Sequence, residues 1–254
     1  MLSREKIEEN IKKRGYVSPK IVFYEQIDST NTRAKEYARE NPESRTPVVF
    51  IANGQTAGRG RRGRSFVSQR GAGIYISILT YPDSDGFDAT RVTAEAAVNL
   101  ARAIESLCPC DIKIKWVNDL YLGGKKLAGI LTEGEVAPDG KIAYQVVGMG
   151  INVYKNAISD EISAIATSIE GEGFVPPDRS KLAAEIIIRS LYEVGDRYAE
   201  YKARSFIIGK TVTVMKLAES YEAEVIDINP DYSLKIQTTK GCEDLFTGEV
   251  SLKI

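Results

Sequence analysis

Two periods of apolar residues run through this chain and divide it into elements that alternate between strand and helix. Short apolar runs at residues 21–24, 48–52 and 73–80 read as strands, with a helical segment at 33–39 between the first two. Residues 89–107 place Val92, Ala96, Leu100, Ala103, Ile104 and Leu107 at helical spacing, which predicts a helix packed on a sheet. Further strands are expected at 112–116, 120–122, 126–133 and 142–153, with Gly123-Gly124 turning one hairpin. A last long helix is expected over 181–204, carried by Leu182, Ile186, Ile187, Leu191, Val194, Tyr198 and Tyr201. Residues 3–13 read as a short charged helix. After Phe206 the character shifts to short strands at 211–217, 222–228, 234–237 and 244–252 separated by turn residues, which suggests a small β-barrel. The pattern predicts an α+β chain in two parts: a mixed β-sheet with helices on one face over residues 1–205, and a small barrel over 206–254.

Composition narrows the chemistry. A hydrophobic content of 43% and a charged content of 27% are those of an ordinary globular protein, and 254 residues can bury a full core. The formal net charge of −1 argues against wholesale nucleic-acid or membrane affinity. No apolar run approaches the roughly 18 residues of a membrane span, and the charged N-terminus lacks the apolar core of a signal peptide, so a cytoplasmic protein is expected. Three cysteines, two of them in Cys108-Pro109-Cys110, form neither a disulfide framework nor a metal-ligand spacing. The absence of histidine removes Ser-His-Asp systems, His metal sites and imidazole switching together. Chemistry must run on lysine, arginine, carboxylates, backbone amides and bound metal. Group transfer between anions fits that inventory, because it needs charge neutralisation more than proton shuttling.

One segment concentrates those cations. Gly58-Arg59-Gly60-Arg61-Arg62-Gly63-Arg64 packs four guanidiniums into seven residues. Arginine presents a rigid fork of donors suited to phosphate or carboxylate, and glycine lets the backbone approach a ligand closely. Such a loop is expected to be mobile when empty and to wrap an anion when full. Taken alone, it also reads as a solvated nucleic-acid-binding loop.

The neighbouring motifs change that balance. Asp28-Ser29-Thr30-Asn31, Gln55-Thr56-Ala57, the arginine loop, Lys115-Trp116-Val117-Asn118-Asp119, Lys126-Leu127-Ala128-Gly129-Ile130, Gly148-Met149-Gly150-Ile151-Asn152 and Gly248-Glu249-Val250-Ser251-Leu252 follow one another in order. As an ordered set they closely resemble the biotin protein ligases, from about Ile21 to the C-terminus. The resemblance implies a class II aminoacyl-tRNA synthetase-like catalytic domain plus an SH3-like barrel, with Val225 standing where the family usually has glycine. It implies a monofunctional enzyme, since residues 3–13 are too short for the helix-turn-helix domain that some members carry. The implied reaction activates biotin with ATP as biotinyl-5'-AMP and transfers it to a lysine of a biotin carboxyl carrier protein. Mg2+ would arrive with ATP rather than on dedicated protein ligands. No DNA partner is expected, and a homodimer is the favoured assembly.

The same resemblance assigns residues. Lys126 is expected to be the central cation, with Lys125 on the opposite strand face. Arg59 and Arg61 are expected on the carboxylate and phosphate, and Arg64 on the ATP phosphates. Ser29, Thr30 and Asn31 open a helix whose N-terminus offers backbone donors to the ureido end of biotin. Gln55 stands where relatives bond the carboxylate side of biotin, and Gly58, Gly60, Gly129, Gly148 and Gly150 complete the biotin set. Phe66 stands against adenine, with Asn118, Met149, Asn152 and Lys253 near the adenylate. Asp119 is open between indirect Mg2+ binding and a structural turn, and Trp116 between pocket wall and core. Two rivals remain on sequence grounds: a lipoate–protein ligase, and a biotin-responsive regulator using the arginine loop on DNA phosphates.

Overall fold

The computed structural model describes residues 1–82, 88–216 and 220–246, together with the backbone of 251–253. Seven strands form one mixed sheet: β1 (Lys20–Tyr24), β2 (Val48–Ala52), β3 (Gly73–Thr80), β4 (Lys113–Lys115), β5 (Asp119–Leu122), β6 (Lys125–Val136) and β7 (Ile142–Asn152), in the order β1-β2-β3-β7-β6-β5-β4. Only β1 and β2 run parallel, because a helix connects them; the remaining neighbours are antiparallel.

Strand alternation gives the sheet two unequal faces. Val49, Ile51, Ile74, Ile76 and Ile78 point into the main core, which α3 (Ala89–Glu105) and α4 (Arg179–Leu191) cover and which takes in Ile7 and Ile11 of α1 (Arg4–Lys13). The main helical layer therefore lies on one face, as the periodicity implies. Among the described residues the other face carries one helix, α2 (Thr30–Glu40), whose Ala34 and Ala38 pack on Val48, Phe50, Leu79 and Val146. That helix is short and leaves the middle of its face uncovered. The candidate site lies there.

Two elements differ from the periodicity. The long helix expected over 181–204 is two helices, α4 and α5 (Tyr198–Arg204). Apolar spacing runs through the gap, but Gly195 sits at φ 156 and Val194 is 79% exposed, so the chain turns where the spacing alone implies a third turn of contact. Residues 244–252 are not one strand either. Strand β11 (Gly241–Leu245) and strand β12 (Ser251–Lys253) occupy opposite edges of a second, five-stranded sheet, with β8 (Thr211–Met215), β9 (Ser220–Ile228) and β10 (Leu234–Thr238) between them in the order β11-β10-β9-β8-β12. Val225 is buried within β9. The small antiparallel sheet matches the expected SH3-like part, and its apolar residues join the main core cluster. The Trp116 indole N–H donates to the Tyr232 carbonyl at 2.8 Å, tying the two sheets beside the site. Among the described residues no helix is long and apolar enough to cross a membrane.

Candidate active site

The floor of the site is a set of residues that strand parity turns away from the core. Tyr75, Gly150 and Gly129 form one row across β3, β7 and β6; Ser77, Gly148 and Leu131 form the next; Leu79, Val146 and Glu133 the third. Glycine keeps the first two rows low. A Cβ on Gly148 would fall 1.9 Å from Asn31 Oδ1, and one on Gly150 would fall 2.6 Å from the Phe66 ring. Both neighbours sit where a side chain would otherwise stand.

One end of this floor is polar and neutral. Ser29 is the N-cap of α2 but its hydroxyl makes no capping bond; the residue is buried and lines the cavity. Gln55 Oε1 accepts from the Thr30 backbone N–H at 2.8 Å, while Gln55 Nε2 donates to Ser68 Oγ at 2.9 Å. These bonds place Gln55 against the start of α2. Ser77 Oγ lies 2.6 Å from Asn31 Oδ1 and 2.7 Å from Thr30 Oγ1. An amide oxygen can only accept, so the serine proton goes to Asn31. Asn31 Nδ2 in turn donates to Glu133 Oε2 at 2.9 Å and to the Leu131 carbonyl at 3.2 Å.

The arginine segment folds over the floor as a tight hairpin. Phe66 N–H donates to the Gly58 carbonyl at 2.9 Å and Gly60 N–H to the Arg64 carbonyl at 2.7 Å, around a single 3-10 turn at Arg61–Gly63. Arg62 holds φ 57, and its guanidinium donates to the Met215 carbonyl of β8 at 2.8 Å. Arg59 reaches toward the neutral end, 3.3 Å from Glu133. Arg61 turns the other way and donates to Asn118 Oδ1 at 3.1 Å, and Asn118 is itself fixed by donating to the Ile130 carbonyl at 3.0 Å. Burial pushes the Arg61 guanidinium down in basicity, and the nearby Asp119 charge opposes that shift.

The opposite end is cationic, and a β-bulge builds it. Leu120 pairs with Ala128 but Tyr121 pairs with Lys126, so Leu127 is an extra residue in β6. Leu127 and Ala128 both enter the core. The parity reset puts Lys126 on the same face as Gly129, its Nζ 3.3 Å from where a Gly129 Cβ would lie. Uninterrupted alternation back from Gly129 would have put Lys125 there instead. Lys125 points outward and donates to the Ser163 carbonyl at 2.8 Å. Lys126 Nζ sits 2.7 Å from Asp119 Oδ1, an ion pair that aims the ammonium across the floor. Burial also lowers the basicity of Lys115 beside it, against the Asp119 charge. Among the described residues no group of three or more Cys, Asp or Glu is arranged to hold a metal.

Ser29, Thr30, Asn31, Gln55, Arg59, Gly60, Arg61, Arg64, Phe66, Asn118, Lys126, Gly129, Gly148, Met149 and Gly150 line one cavity. Three expectations fall differently. Met149 is buried in the main core cluster, so its contribution to the cavity is backbone. Asn152 is buried and donates to the Thr167 carbonyl at 3.1 Å, off the cavity wall. Gly58 supports the hairpin from outside the lining: a Cβ there would fall 2.3 Å from the Phe66 carbonyl. The Lys253 side chain and residues 248–250 lie outside the described residues. Trp116 is both wall and core. Sequence reasoning missed Lys115, Ser77 and Glu133. Ser77 carried a signal, a lone hydroxyl inside the apolar run of β3.

Known proteins share this arrangement of elements. Residues 23–152 match the family model described as the biotin/lipoate A/B protein ligase family. The bifunctional ligase/repressor BirA of Bacillus subtilis is 30% identical over 246 residues, covering 91% of this chain and 74% of that protein. The biotin–[acetyl-CoA-carboxylase] ligase of Mycobacterium tuberculosis is 33% identical over 178 residues, covering 66% of this chain and 64% of that protein. In structure, the biotin protein ligase from Aquifex aeolicus in complex with biotin and ATP superposes with a TM-score of 0.72 at 24% identity, over 92% of this chain and 98% of that one.

Proposed function

We propose a function from one premise: this chain belongs to the biotin/lipoate A/B protein ligase family. It is an ATP-dependent ligase that activates biotin as biotinyl-5'-AMP and passes it to a lysine of a biotin carboxyl carrier protein. The observation that carries this reading is the pairing of two unlike ends on one sheet face. A neutral end of oriented donors and acceptors suits an uncharged ureido ring. A cationic end suits a carboxylate and a triphosphate brought together.

In the first step the biotin carboxylate attacks the α-phosphate and pyrophosphate leaves. Both reactants are anions, so the barrier falls where cations stabilise the charge that accumulates between them. Lys126 is the central cation, held on aim by Asp119. Arg61 and Arg64 serve the phosphates from the hairpin, and Lys115 adds a half-buried ammonium to the same cavity. Arg59 guards the carboxylate, and Phe66, seated on Gly150, offers a face to adenine. Mg2+ would arrive with the nucleotide: among the described residues Asp119 is the carboxylate lining the cavity, and it is already paired with Lys126. The ion would neutralise phosphate charge. In the second step an uncharged carrier lysine attacks the mixed anhydride and AMP leaves. The first sheet, up to about residue 205, houses this chemistry, and the barrel beyond it braces the hairpin tip through Arg62.

The test is ATP-dependent incorporation of biotin into a biotin carboxyl carrier domain, read as a mass increase on one lysine. Incorporation of lipoate in place of biotin would reassign the substrate within the same family.

A further inference from the structure

Glu133 stands outside every motif above, yet it joins three elements of the site. It lies in the third row of the floor, on β6, at the border between the cavity and the apolar patch under α2. Its Oε1 is 2.6 Å from Lys35 Nζ of α2 and 3.3 Å from Arg59 of the hairpin; its Oε2 accepts from Asn31 Nδ2 at 2.9 Å. A carboxylate with only 20% of its side chain exposed is costly unless paired, and this one has cationic partners on two elements.

Two consequences follow for the cavity. Asn31 is an amide that could face either way, but a carboxylate and a carbonyl on its Nδ2 side fix the oxygen toward Ser77 and the Gly148 floor. Arg59 is 48% exposed on a glycine-rich hairpin, and Glu133 is the anchor that draws it over the neutral end. We propose that Glu133 is a positioning residue for the acid substrate, acting through Asn31 and Arg59 and not through the nucleotide. Its distance from the cationic end supports that division. Four residues of β6 separate it from Gly129, about 13 Å at about 3.3 Å per residue. Lys35 and Arg59 together more than offset the Glu133 charge, so no net negative charge faces an incoming carboxylate. Burial alone would raise the Glu133 carboxyl, but hydrogen bonds from Lys35 and Asn31, with the charges of Lys35 and Arg59, hold it below its ordinary value.

This inference rests on the ligase reading, and the experiment separates the two. Biotin-dependent pyrophosphate exchange is measured on the full chain, with KM for biotin, KM for ATP, kcat and Tm for wild type, Glu133→Gln and Glu133→Asp. Loss of charge-assisted contacts should raise KM for biotin by roughly tenfold in Glu133→Gln. KM for ATP and kcat should stay within about threefold, with Tm near wild type. Glu133→Asp keeps the charge on a shorter reach and should fall between. An unchanged KM for biotin would overturn the inference; so would a parallel loss in both KM values, kcat and Tm, which marks a merely structural role. If Glu133→Gln does not fold, Glu133→Asp decides, with a rise in KM for biotin alone supporting the role and no rise refuting it. Wild-type protein without biotin-dependent exchange would overturn the ligase reading itself and this inference with it.

Discussion

The two ends of the cavity share one sheet face and one hairpin roof, yet they are built by opposite means. At the neutral end, hydrogen bonds among Thr30, Asn31, Gln55 and Ser77 orient dipoles, and at its border Lys35 and Arg59 share the Glu133 carboxylate. At the cationic end, Lys115, Lys126 and Arg61 gather around Asp119 with Arg64 on the same cavity wall, and burial works against the basicity of Lys115 and Arg61. In the proposed function the first arrangement would recognise a shape with little change of charge, and the second would be completed by anions. Binding energy drawn at the neutral end can thus hold the acid in place while the cations act on the transition state.

Breaking the cationic end should cost most. Lys126→Ala removes the aimed ammonium and should lower adenylate formation by several orders of magnitude with an unchanged Tm, measured as biotin-dependent adenylate formation in a single turnover. Arg61→Gly should cost less and differently. A charge-assisted contact is worth roughly 1.5–3 kcal/mol, or about 10- to 150-fold in residence time. Adenylate should still form through Lys126 but escape, labelling lysines of an unrelated protein such as albumin. Background-level labelling from a mutant that still makes adenylate would mean that Arg61 does not retain the intermediate. At the neutral end, Gly148→Ala places a methyl where Asn31 Oδ1 stands. It should cost about 1–3 kcal/mol of biotin affinity in calorimetry and leave ATP binding unchanged. Lys125→Ala sharpens the contrast from outside the cavity: activity should stay within about threefold, because the bulge turns that side chain away. Exchanged outcomes for the two lysines would mean that the register of β6 is wrong.

Much of this was legible in the chain. Strand alternation gave β2, β3 and β7 their faces, and ordered motifs brought most of the lining together. What stayed hidden depends on three-dimensional register. No periodicity reveals the extra residue at Leu127, and strict alternation from Gly129 would have chosen the wrong lysine. Glu133 closes the strand expected over 126–133 and reads there like any solvated carboxylate; only packing against α2 gives it Lys35 and Asn31 as partners. Asn152 and Met149 sit in a matching motif, yet strand parity and a neighbouring loop take their side chains off the wall. The break before α5 was masked because apolar residues keep helical spacing across a turn at Gly195.

The central claim, that the two-ended cavity joins the biotin carboxylate to the α-phosphate of ATP, is tested most directly by pyrophosphate exchange. Wild-type protein is incubated with ATP, Mg2+, labelled pyrophosphate and either biotin or lipoate, and label in ATP is counted. Because the first step is reversible on the protein, label should enter ATP with biotin, and should not enter with lipoate or in Lys126→Ala. Exchange with lipoate and none with biotin would contradict the account.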